Sequence, residues 1–431
     1  MTAEAIAVLI LLGSFLIMVI LRFPIAFAVA IASILSLLYQ GIGLSIVGQM
    51  MVRGVSSFSL MAVPFFITMG VYMGKGGISE RLIALASACV GWMRGGMAHV
   101  NIVASYFFGG ISGSAAADTA SIGSIMIPIM VEEGYEADFS TAVTITSSVQ
   151  GILVPPSHNM VIYAMAAGGI SIGSLFLAGY LPGALLAISL MVGSYIISVK
   201  RNYPKGAAFS IKNLLSQLLR SFWALAAVII VVVGVVGGAF TATESAAIAV
   251  LYSLFVSVYI YKGVNWKNAW KLLDEAIGTL SIVLILVATS SIFGHILALL
   301  NVPEMAANLI YGLTDNPIII LLMINVLLLV LGAIMDMVPI LLITTPILLP
   351  IVTGMGMDPV QFGIIMMLNC GIGLLTPPVG SVLFIGSAVG KTPMEQVVKA
   401  TLPFYLCMVV VLMLLTFVPS ISMFLPRMFM G

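Results

Sequence analysis

Two Pro-Pro pairs lie where this chain would otherwise form membrane-spanning helices. They stand in matching apolar frames, Gly151–Pro156 and Gly373–Pro378. The frames are 222 residues apart (373 − 151 = 222), and the same interval separates Gly110 from Gly332 (332 − 110 = 222). A helix broken within lipid leaves backbone groups unpaired, so such breaks persist only where they line a cavity or bind something. The paired breaks therefore predict a repeated fold with a binding site near the middle of the membrane.

The composition places the chain in the membrane. Hydrophobic residues make up 61% of it and charged residues only 7%, whereas soluble domains carry about 25% charged residues. Apolar runs of about 17 residues or more are long enough to cross a hydrocarbon core of about 30 Å. We predict spans over Ala5–Leu21, Pro24–Gln40, Phe58–Gly74, Leu175–Val199, Trp223–Phe240, Ala246–Tyr261, Ile277–Leu300, Ile318–Met335 and Leu402–Val418. The first run follows no basic segment, so it is interpreted as a span and not as a cleaved signal peptide.

The charges orient the chain and exclude nucleic acid as a partner. The net charge is +1, and the basic residues are too scattered to hold a phosphate backbone. Basic residues concentrate in two connections, Lys200–Arg220 and Lys262–Lys271. The positive-inside rule places both connections in the cytoplasm.

The same pattern divides the chain into two halves. We predict a first repeat at 1–199, a cytoplasmic connection at 200–221 and a second repeat at 222–431. Each half has ordinary spans, then an interrupted apolar region, then a helix broken at Pro-Pro. We place two re-entrant hairpins at about 100–131 and 321–353, and two broken helices at about 140–167 and 360–390. The predicted fold is an all-α polytopic membrane protein in which inverted repeats bring the hairpin tips together near the midplane.

Two carboxylates are embedded in the predicted hairpins, Asp118 and Asp336. An ionisable group at that depth costs about 3 kcal/mol on insertion scales, which makes both residues functional candidates. A structural role in capping a helix is the alternative. Asp336 lies four residues from the repeat position of Asp118 (118 + 222 = 340), so the two match by region and not by residue.

Polar oxygens around the breaks suit a hard cation. Sodium prefers oxygen ligands, as calcium does, and unwound backbone supplies free carbonyls. Packing of small residues between helices is the alternative for any single hydroxyl. The candidate sodium ligands are Ser114, Thr119, Gly151, Pro155, Thr344, Asn369, Gly373, Thr376, Gly380 and Ser381.

The histidines and the absent motifs narrow the chemistry. His158 adjoins the first break and is a candidate proton carrier, with a substrate hydrogen bond as the alternative. His99 and His295 stand alone and are interpreted as structural. The chain has no GxxxxGK[ST], HExxH or GxSxG motif, so it shows no site for ATP hydrolysis or soluble-type catalysis.

Four segments carry a resemblance to a known family: Gly113–Ala120, Leu153–Ser157, Met335–Pro339 and Leu375–Gly380. Together they resemble the large membrane subunit of the tripartite ATP-independent periplasmic (TRAP) transporters, over essentially the whole chain. The resemblance implies an elevator-type fold of the ion-transporter superfamily in the bacterial inner membrane. It also implies a small membrane (Q) subunit, a periplasmic substrate-binding (P) protein, and uptake driven by Na⁺ bound at two or more sites. Because the chain begins in a span, the Q subunit is expected to be a separate chain.

The resemblance also implies where ligands bind. One sodium is expected between the first hairpin tip and the break at Gly151–Ser157, and another between the second tip and Gly373–Ser381. The expected substrate is a small organic acid of the sialic-acid or C4-dicarboxylate type, and Ser157–Asn159 resembles the sialic-acid members. The substrate contacts expected in this chain are Ser112, Asp118, Asp336, Ser157, His158 and Asn159.

Two other functions stay open at this stage. One is a stand-alone ion-coupled carboxylate transporter that needs no partner protein. The other is an intramembrane enzyme in which Asp118 and Asp336 share a proton at close range. The enzyme is disfavoured because both aspartates lie beside Gly and Pro breaks with duplicated oxygen-rich neighbours, which suit ion binding better. We therefore expect a transporter and not an enzyme.

Overall fold

The computed structural model describes the backbone of residues 3–430 and the side chains of residues 4–430. Regular structure in this part of the chain is helical, apart from one isolated antiparallel bridge between Arg94 and Lys205. Eight of the described helices are long and apolar enough to cross a membrane, or nine if the bent pair Ser45–Val55 and Ser59–Lys75 is one span. The prediction of an all-α polytopic membrane protein is confirmed.

The described part of the first half contains eleven helices and one 3₁₀ turn, Ser59–Met61. The helices are α1 (Ala3–Ile20), α2 (Ile25–Tyr39), α3 (Ser45–Val55), α4 (Ala62–Lys75), α5 (Ser79–Val90), α6 (Gly96–Ser112), α7 (Ala115–Glu132), α8 (Ala137–Ser148), α9 (Gln150–Leu153), α10 (His158–Ala166) and α11 (Ile172–Lys200). The pair α6 and α7 forms the first hairpin. Helices α8, α9 and α10 form the first broken helix, whose gap holds Pro155 and Pro156.

Among the residues that the structure describes, the second half contains ten helices, and a π-helical turn at Val256–Ile260 extends the second of them. They are α12 (Ile211–Val236), α13 (Ala242–Phe255), α14 (Trp266–Leu299), α15 (Val302–Leu313), α16 (Pro317–Ile334), α17 (Met337–Gly354), α18 (Pro359–Gly373), α19 (Ser381–Gly390), α20 (Met394–Phe417) and α21 (Pro419–Phe429). Helices α16 and α17 form the second hairpin. Helices α18 and α19 form the second broken helix around Pro377 and Pro378.

The two hairpins enter from opposite sides of the membrane. The base of the first lies against the basic connection after α11, where the Tyr203 hydroxyl donates to Glu136 Oε2 at 3.0 Å and Arg201 pairs with Glu136. Three crossings, α12, α13 and α14, separate that connection from the base of the second hairpin. An odd number of crossings puts the second base on the other side. The repeats are therefore inverted.

Two details differ from the sequence-based expectations. Helix α12 begins at Ile211, so much of the predicted connection 200–221 is helix. The predicted single span Phe58–Gly74 is instead the second arm of a pair bent by 60°. Glu244 belongs to a capping box with Thr241 at the start of α13. The outer bounds of the two repeats stay predictions.

Glycines bring each hairpin against the broken helix of its own repeat. A Cβ added at Gly109 would lie 2.9 Å from the Cα of Gly151, and one added at Gly332 would lie 2.9 Å from the Cα of Gly373. Any side chain at these positions would separate the two backbones. Small residues serve the same purpose wherever membrane helices approach closely.

The hairpins and broken helices of the two repeats also interlock, with α10 packed on α17 and α19 packed on α7 and α8. The Tyr163 hydroxyl donates to the Pro359 carbonyl at 2.6 Å, which ties α10 to the start of α18. A Cβ at Gly386 would lie 3.6 Å from the Cβ of Ile145. We call helices α6–α10 and α16–α19 the inner bundle.

A separate group of helices runs along one side of the inner bundle. Helix α14 packs on both α3 and α4, and we call these three helices the wall. The 34 residues of α14 span about 50 Å at about 1.5 Å per residue, which exceeds the hydrocarbon core. This one helix therefore passes the whole depth of the inner bundle.

Candidate functional site

The tip of the first hairpin is seated in the first helix break. Gly113 ends α6 in the left-handed conformation (φ +61°), which glycine adopts without strain. Its carbonyl accepts hydrogen bonds from Ser157 Oγ at 3.3 Å and Asn159 Nδ2 at 3.2 Å. Ser114 then caps α7, its hydroxyl accepting from the Ala117 N–H at 3.4 Å.

The tip of the second hairpin is seated in the second break in the same way. The Val379 N–H donates to the Ala333 carbonyl at 3.1 Å. Asp336 begins α17, and its Oδ1 accepts from Ser381 Oγ at 2.9 Å. Gly380, at φ +41°, precedes α19. Asp336 is the structural partner of Ser114, and the repeat interval says the same (336 − 114 = 222).

The two tips meet at a cavity of about 150 Å³, which we call the tip cavity. Its lining includes the first residues of four helices: Ser114 before α7, His158 in α10, Asp336 before α17 and Ser381 in α19. A helix N-terminus presents unpaired N–H groups and a partial positive charge. Four such ends around one space favour an anion, and half-helix ends bind substrate carboxylates in other transporters with broken helices.

A second cavity, of about 280 Å³, adjoins the tip cavity and shares Ser114 and His158 with it. It runs between α7 and the wall helices α4 and α14. Lys75 and Glu275 line its far end, near the basic connections that we assign to the cytoplasm. We call it the cytoplasmic cavity. The tip cavity thus adjoins a cavity that extends toward the cytoplasmic side.

Four of the six predicted substrate contacts line these cavities. Asn159, His158 and Asp336 line the tip cavity, and Ser112 lines the cytoplasmic cavity. Ser157 is buried and bonds the first tip.

Asp118 differs from the prediction, because it does not line the tip cavity. It is fully buried on α7, where its Oδ1 accepts from Ser105 Oγ at 3.1 Å. Ser105 and Ser147 bond each other at 3.1 Å. The carboxylate lies four residues past the helix cap, so it points into the contact between the first hairpin and α8. We therefore move it from the substrate contacts to the ion candidates.

Several buried oxygens near the two breaks have no hydrogen-bond partner among the described residues. They are Asp118 Oδ2, Thr119 Oγ1 and Gln150 Oε1 in the first repeat and Asn369 Oδ1 in the second. A buried polar atom without a partner costs about 1–3 kcal/mol, so such atoms are expected to meet an ion or water. Uncharged and acidic oxygens are the ligands that a hard cation prefers.

The remaining predicted sodium ligands fall into three groups. Thr344 and Thr376 donate to the carbonyls of Ile340 and Ile372, at 2.7 and 2.9 Å, and keep acceptor capacity. Thr344 lies about two turns from the second tip. Ser381 bonds Asp336, and the Pro155 carbonyl accepts from the Tyr180 hydroxyl at 3.4 Å. The others are backbone positions at the crossings and the second break: Gly151, Gly373 and Gly380.

Sequence reasoning missed polar residues of α6 and α16, the first helix of each hairpin. Asn101 Nδ2 donates to Thr144 Oγ1 at 2.7 Å in the first repeat. In the second, Asn369 Nδ2 donates to Asn325 Oδ1 at 2.7 Å. Asn101 and Asn325 are separated by 224 residues (325 − 101 = 224), close to the repeat interval. That interval is the sequence signal that could have identified them.

Comparison with known proteins agrees with this architecture. The structure aligns with the crystal structure of the YdaH transporter of Alcanivorax borkumensis with a TM-score of 0.62. The alignment covers 87% of this chain and 88% of the YdaH chain. The sequence identity is 14%, so this likeness concerns the fold alone.

Relatives of known name are closer in sequence. The isethionate TRAP transporter permease protein DctMQ of Oleidesulfovibrio alaskensis is 41% identical over 96% of this chain, which spans 66% of that relative. The large permease protein SiaM of the sialic acid TRAP transporter of Vibrio cholerae is 38% identical over 95% of this chain and 96% of the relative.

The family model for the DctM component of the tripartite ATP-independent periplasmic transporters matches residues 12–421. The inverted hairpins, the paired breaks and the tip cavity all lie within that range. The chain therefore belongs to this family, in which the DctM component is the large membrane subunit.

Proposed function

We propose that this chain is the transport subunit of a secondary importer that couples uptake of a small organic acid to sodium entry. The observation that carries the proposal is the convergence of four helix N-termini on the tip cavity. Each N-terminus carries roughly half a positive charge. Together they favour a carboxylate or another oxyanion at the meeting point of the two repeats.

Asp336 gives a physical reason for coupling to a cation. Its carboxylate lines the same cavity that would receive the substrate carboxylate. Two like charges at close range disfavour each other unless a cation lies between or beside them. The unpaired oxygens of Asp118 and Asn369 support a sodium site in each repeat. Sodium is cargo here, bound from the periplasm and released with the substrate.

The packing supports motion of the inner bundle as one unit. Its two repeats are tied to each other by contacts such as Tyr163 to Pro359. The tip cavity is built from both repeats, so separating them would expose the unpaired backbone groups at both breaks. The inner bundle would therefore move along the wall, in an elevator mechanism, and carry its site from one side of the membrane to the other.

The chain is a multi-pass protein of the bacterial inner membrane, and its family works with a small Q subunit and a periplasmic binding protein. For this chain we propose both partners. The periplasmic protein would deliver an organic acid. Relatives of this chain are named for transport of isethionate, sialic acid or C4-dicarboxylates.

The alternative functions have less support. An aspartyl enzyme needs two carboxylates in one site, but Asp336 lines the tip cavity and Asp118 is bonded to Ser105 inside the first hairpin. A stand-alone transporter would use the same site and differ only in its need for partners.

Uptake in proteoliposomes tests the proposal. The chain would be reconstituted with the Q subunit and binding protein of its own organism, and supplied with radiolabelled N-acetylneuraminate, succinate or isethionate. We expect an inward sodium gradient to drive uptake of one of these anions, and a proton gradient alone to have little effect. Uptake that continues in sodium-free buffer and follows pH would contradict sodium coupling and favour His158 as a proton carrier. Full activity without partners would support the stand-alone transporter.

A further inference from the structure

A third cavity, of about 340 Å³, lies between the wall and the other end of the inner bundle. Arg53 of α3 and Ser290 and His295 of α14 line its wall side, and Met165 of α10 lines its bundle side. Helix α10 ends at Ala166, and α11 then runs back to the cytoplasmic connection at Lys200. The cavity therefore lies toward the periplasm. We call it the periplasmic cavity.

The repeat relates this cavity to the cytoplasmic one. Gly294 lines the periplasmic cavity and Gly70 lines the cytoplasmic cavity, and 294 − 70 = 224. The same interval relates Gly54 of α3 to Gly278 of α14 (278 − 54 = 224). The periplasmic cavity lies between α14 and α17, and the cytoplasmic cavity lies between α4 and α7, which are the equivalent helices. Inverted repeats thus produce one cavity of this kind on each side.

The charges of the two cavities differ, and the repeat does not account for the difference. Lys75 and Glu275 both line the cytoplasmic cavity, so its formal charges balance. Arg53 and His295 line the periplasmic cavity, and no carboxylate is among its described lining residues. The repeat equivalents of Arg53 and His295 are the apolar residues Ile277 and Val71 (53 + 224 = 277; 295 − 224 = 71).

The polar groups of the periplasmic cavity have no partner within the described part of the chain. Arg53 forms no hydrogen bond or ion pair there. The hydroxyl of Ser290 is also unpaired, although this residue is only 3% exposed. Arg53 is exposed, and an unpaired guanidinium beside a cavity favours an anion, since guanidinium and hydroxyl groups are good donors to carboxylate or sulfonate oxygens.

We propose that the periplasmic cavity is an entry site for a small organic oxyanion, with Arg53 as its charged contact and Ser290 as a neutral donor. This inference rests on the proposed uptake of organic acids. The entry site holds the anion on the wall before it reaches the tip cavity.

The position of the site along α14 fits this order of events. The tip cavity faces Ile282 and Leu286, and the periplasmic cavity faces Ser290 and His295. The two sets are about eight residues apart, which is about 12 Å along a helix. A displacement of the inner bundle by that distance toward the periplasm would bring the tip cavity opposite the entry site.

Cysteine labelling tests the charge of the cavity without requiring transport. The three native cysteines are replaced by alanine, and Ser57→Cys, at a half-buried lining residue, then supplies the only cysteine. It is then reacted from the periplasm with two impermeant methanethiosulfonates, one sulfonate and one trimethylammonium. We expect Arg53→Gln to lower the ratio of sulfonate to trimethylammonium rates about tenfold, since one unit charge is lost nearby. Arg427→Gln, on α21 outside the cavity, is the matched control and should leave the ratio unchanged.

Protection and transport then separate the inference from the proposed function. Millimolar N-acetylneuraminate, succinate or isethionate should slow labelling of Ser57→Cys, and Arg53→Gln and Ser290→Ala should each weaken that protection. For the anion that is transported, Arg53→Gln should raise KM at least tenfold, and Arg427→Gln should not. An unchanged labelling ratio, or no protection by any of the three anions in a transporter that takes up one of them, would overturn the entry site. Absence of uptake with normal labelling and protection would count against the proposed function and leave the binding site supported.

Discussion

The seat of the first hairpin tip should tolerate no side chain at Gly113. This residue has a φ of +61°, and an added Cβ would lie 3.1 Å from the Cα of Ser157 and 3.3 Å from the Pro156 carbonyl oxygen. Alanine in the left-handed region costs about 1–2 kcal/mol. The backbone contact cannot be relieved by a rotamer change and adds about 1–3 kcal/mol of overpacking. The overpacking is relieved if the hairpin tip moves out of the helix break. That movement would remove both hydrogen bonds to the Gly113 carbonyl.

The two costs can be separated with a matched control. Gly134 also has a positive φ, +89°, but an added Cβ there meets no atom within 4 Å. Gly134→Ala should therefore lower stability by about 1–2 kcal/mol and keep normal uptake. Gly113→Ala should reduce the seated population, and with it the initial rate of uptake, by about 5–150-fold, the equivalent of 1–3 kcal/mol. Thermal unfolding in detergent and uptake in proteoliposomes give the two readouts. Equal uptake by the two variants would refute the idea that the seated tip is required.

Four further substitutions test the two carboxylates and the serines bonded to them, with insertion and yield as folding controls. Asp336→Asn keeps the size of the side chain and an acceptor for Ser381 Oγ but removes the charge that we pair with a cation, so sodium-driven uptake should be lost. Ser381→Ala removes one hydrogen bond to that charged group and should reduce uptake by about 10–150-fold, the equivalent of about 1.5–3 kcal/mol, without abolishing it. Asp118→Asn should raise the sodium concentration that gives half-maximal uptake at least tenfold, and Ser105→Ala should raise it less, because Ser105 bonds only Oδ1. Unchanged sodium dependence in Asp118→Asn would return that residue to a structural role.

The breaks, the hairpins and the class of fold were predictable because they depend on local chemistry. Proline and glycine interrupt a helix wherever they stand, and the interval of 222 residues shows that the interruptions are repeated. The same interval aligns Ser114 with Asp336. Our first comparison instead set Asp336 beside Asp118, because acidic residues are conspicuous in an apolar sequence. Serine and aspartate are both good helix caps, so equivalent positions differ in charge.

Other parts of the site depend on contacts that a sequence does not display. Asn101 and Thr144 are 43 residues apart and lie on different helices. Arg53 lies in a short amphipathic helix, where a basic residue ordinarily faces headgroups, and His295 has no partner at ligand spacing. Only the packing of α3 on α14 places these two side chains on one cavity.

Movement of the inner bundle along the wall is the central claim, and a pair of disulfides tests it most directly. A Cβ at Gly74 of the wall would lie 3.4 Å from Ser121 Oγ of the inner bundle, so cysteines at these positions can be bridged. Gly386→Cys with Ile145→Cys, whose Cβ atoms would be 3.6 Å apart, is the control within the bundle. We predict that oxidation stops uptake for Gly74→Cys with Ser121→Cys, that reduction restores it, and that the control pair transports in both states. Normal uptake by a wall-to-bundle pair that is fully cross-linked would contradict the account.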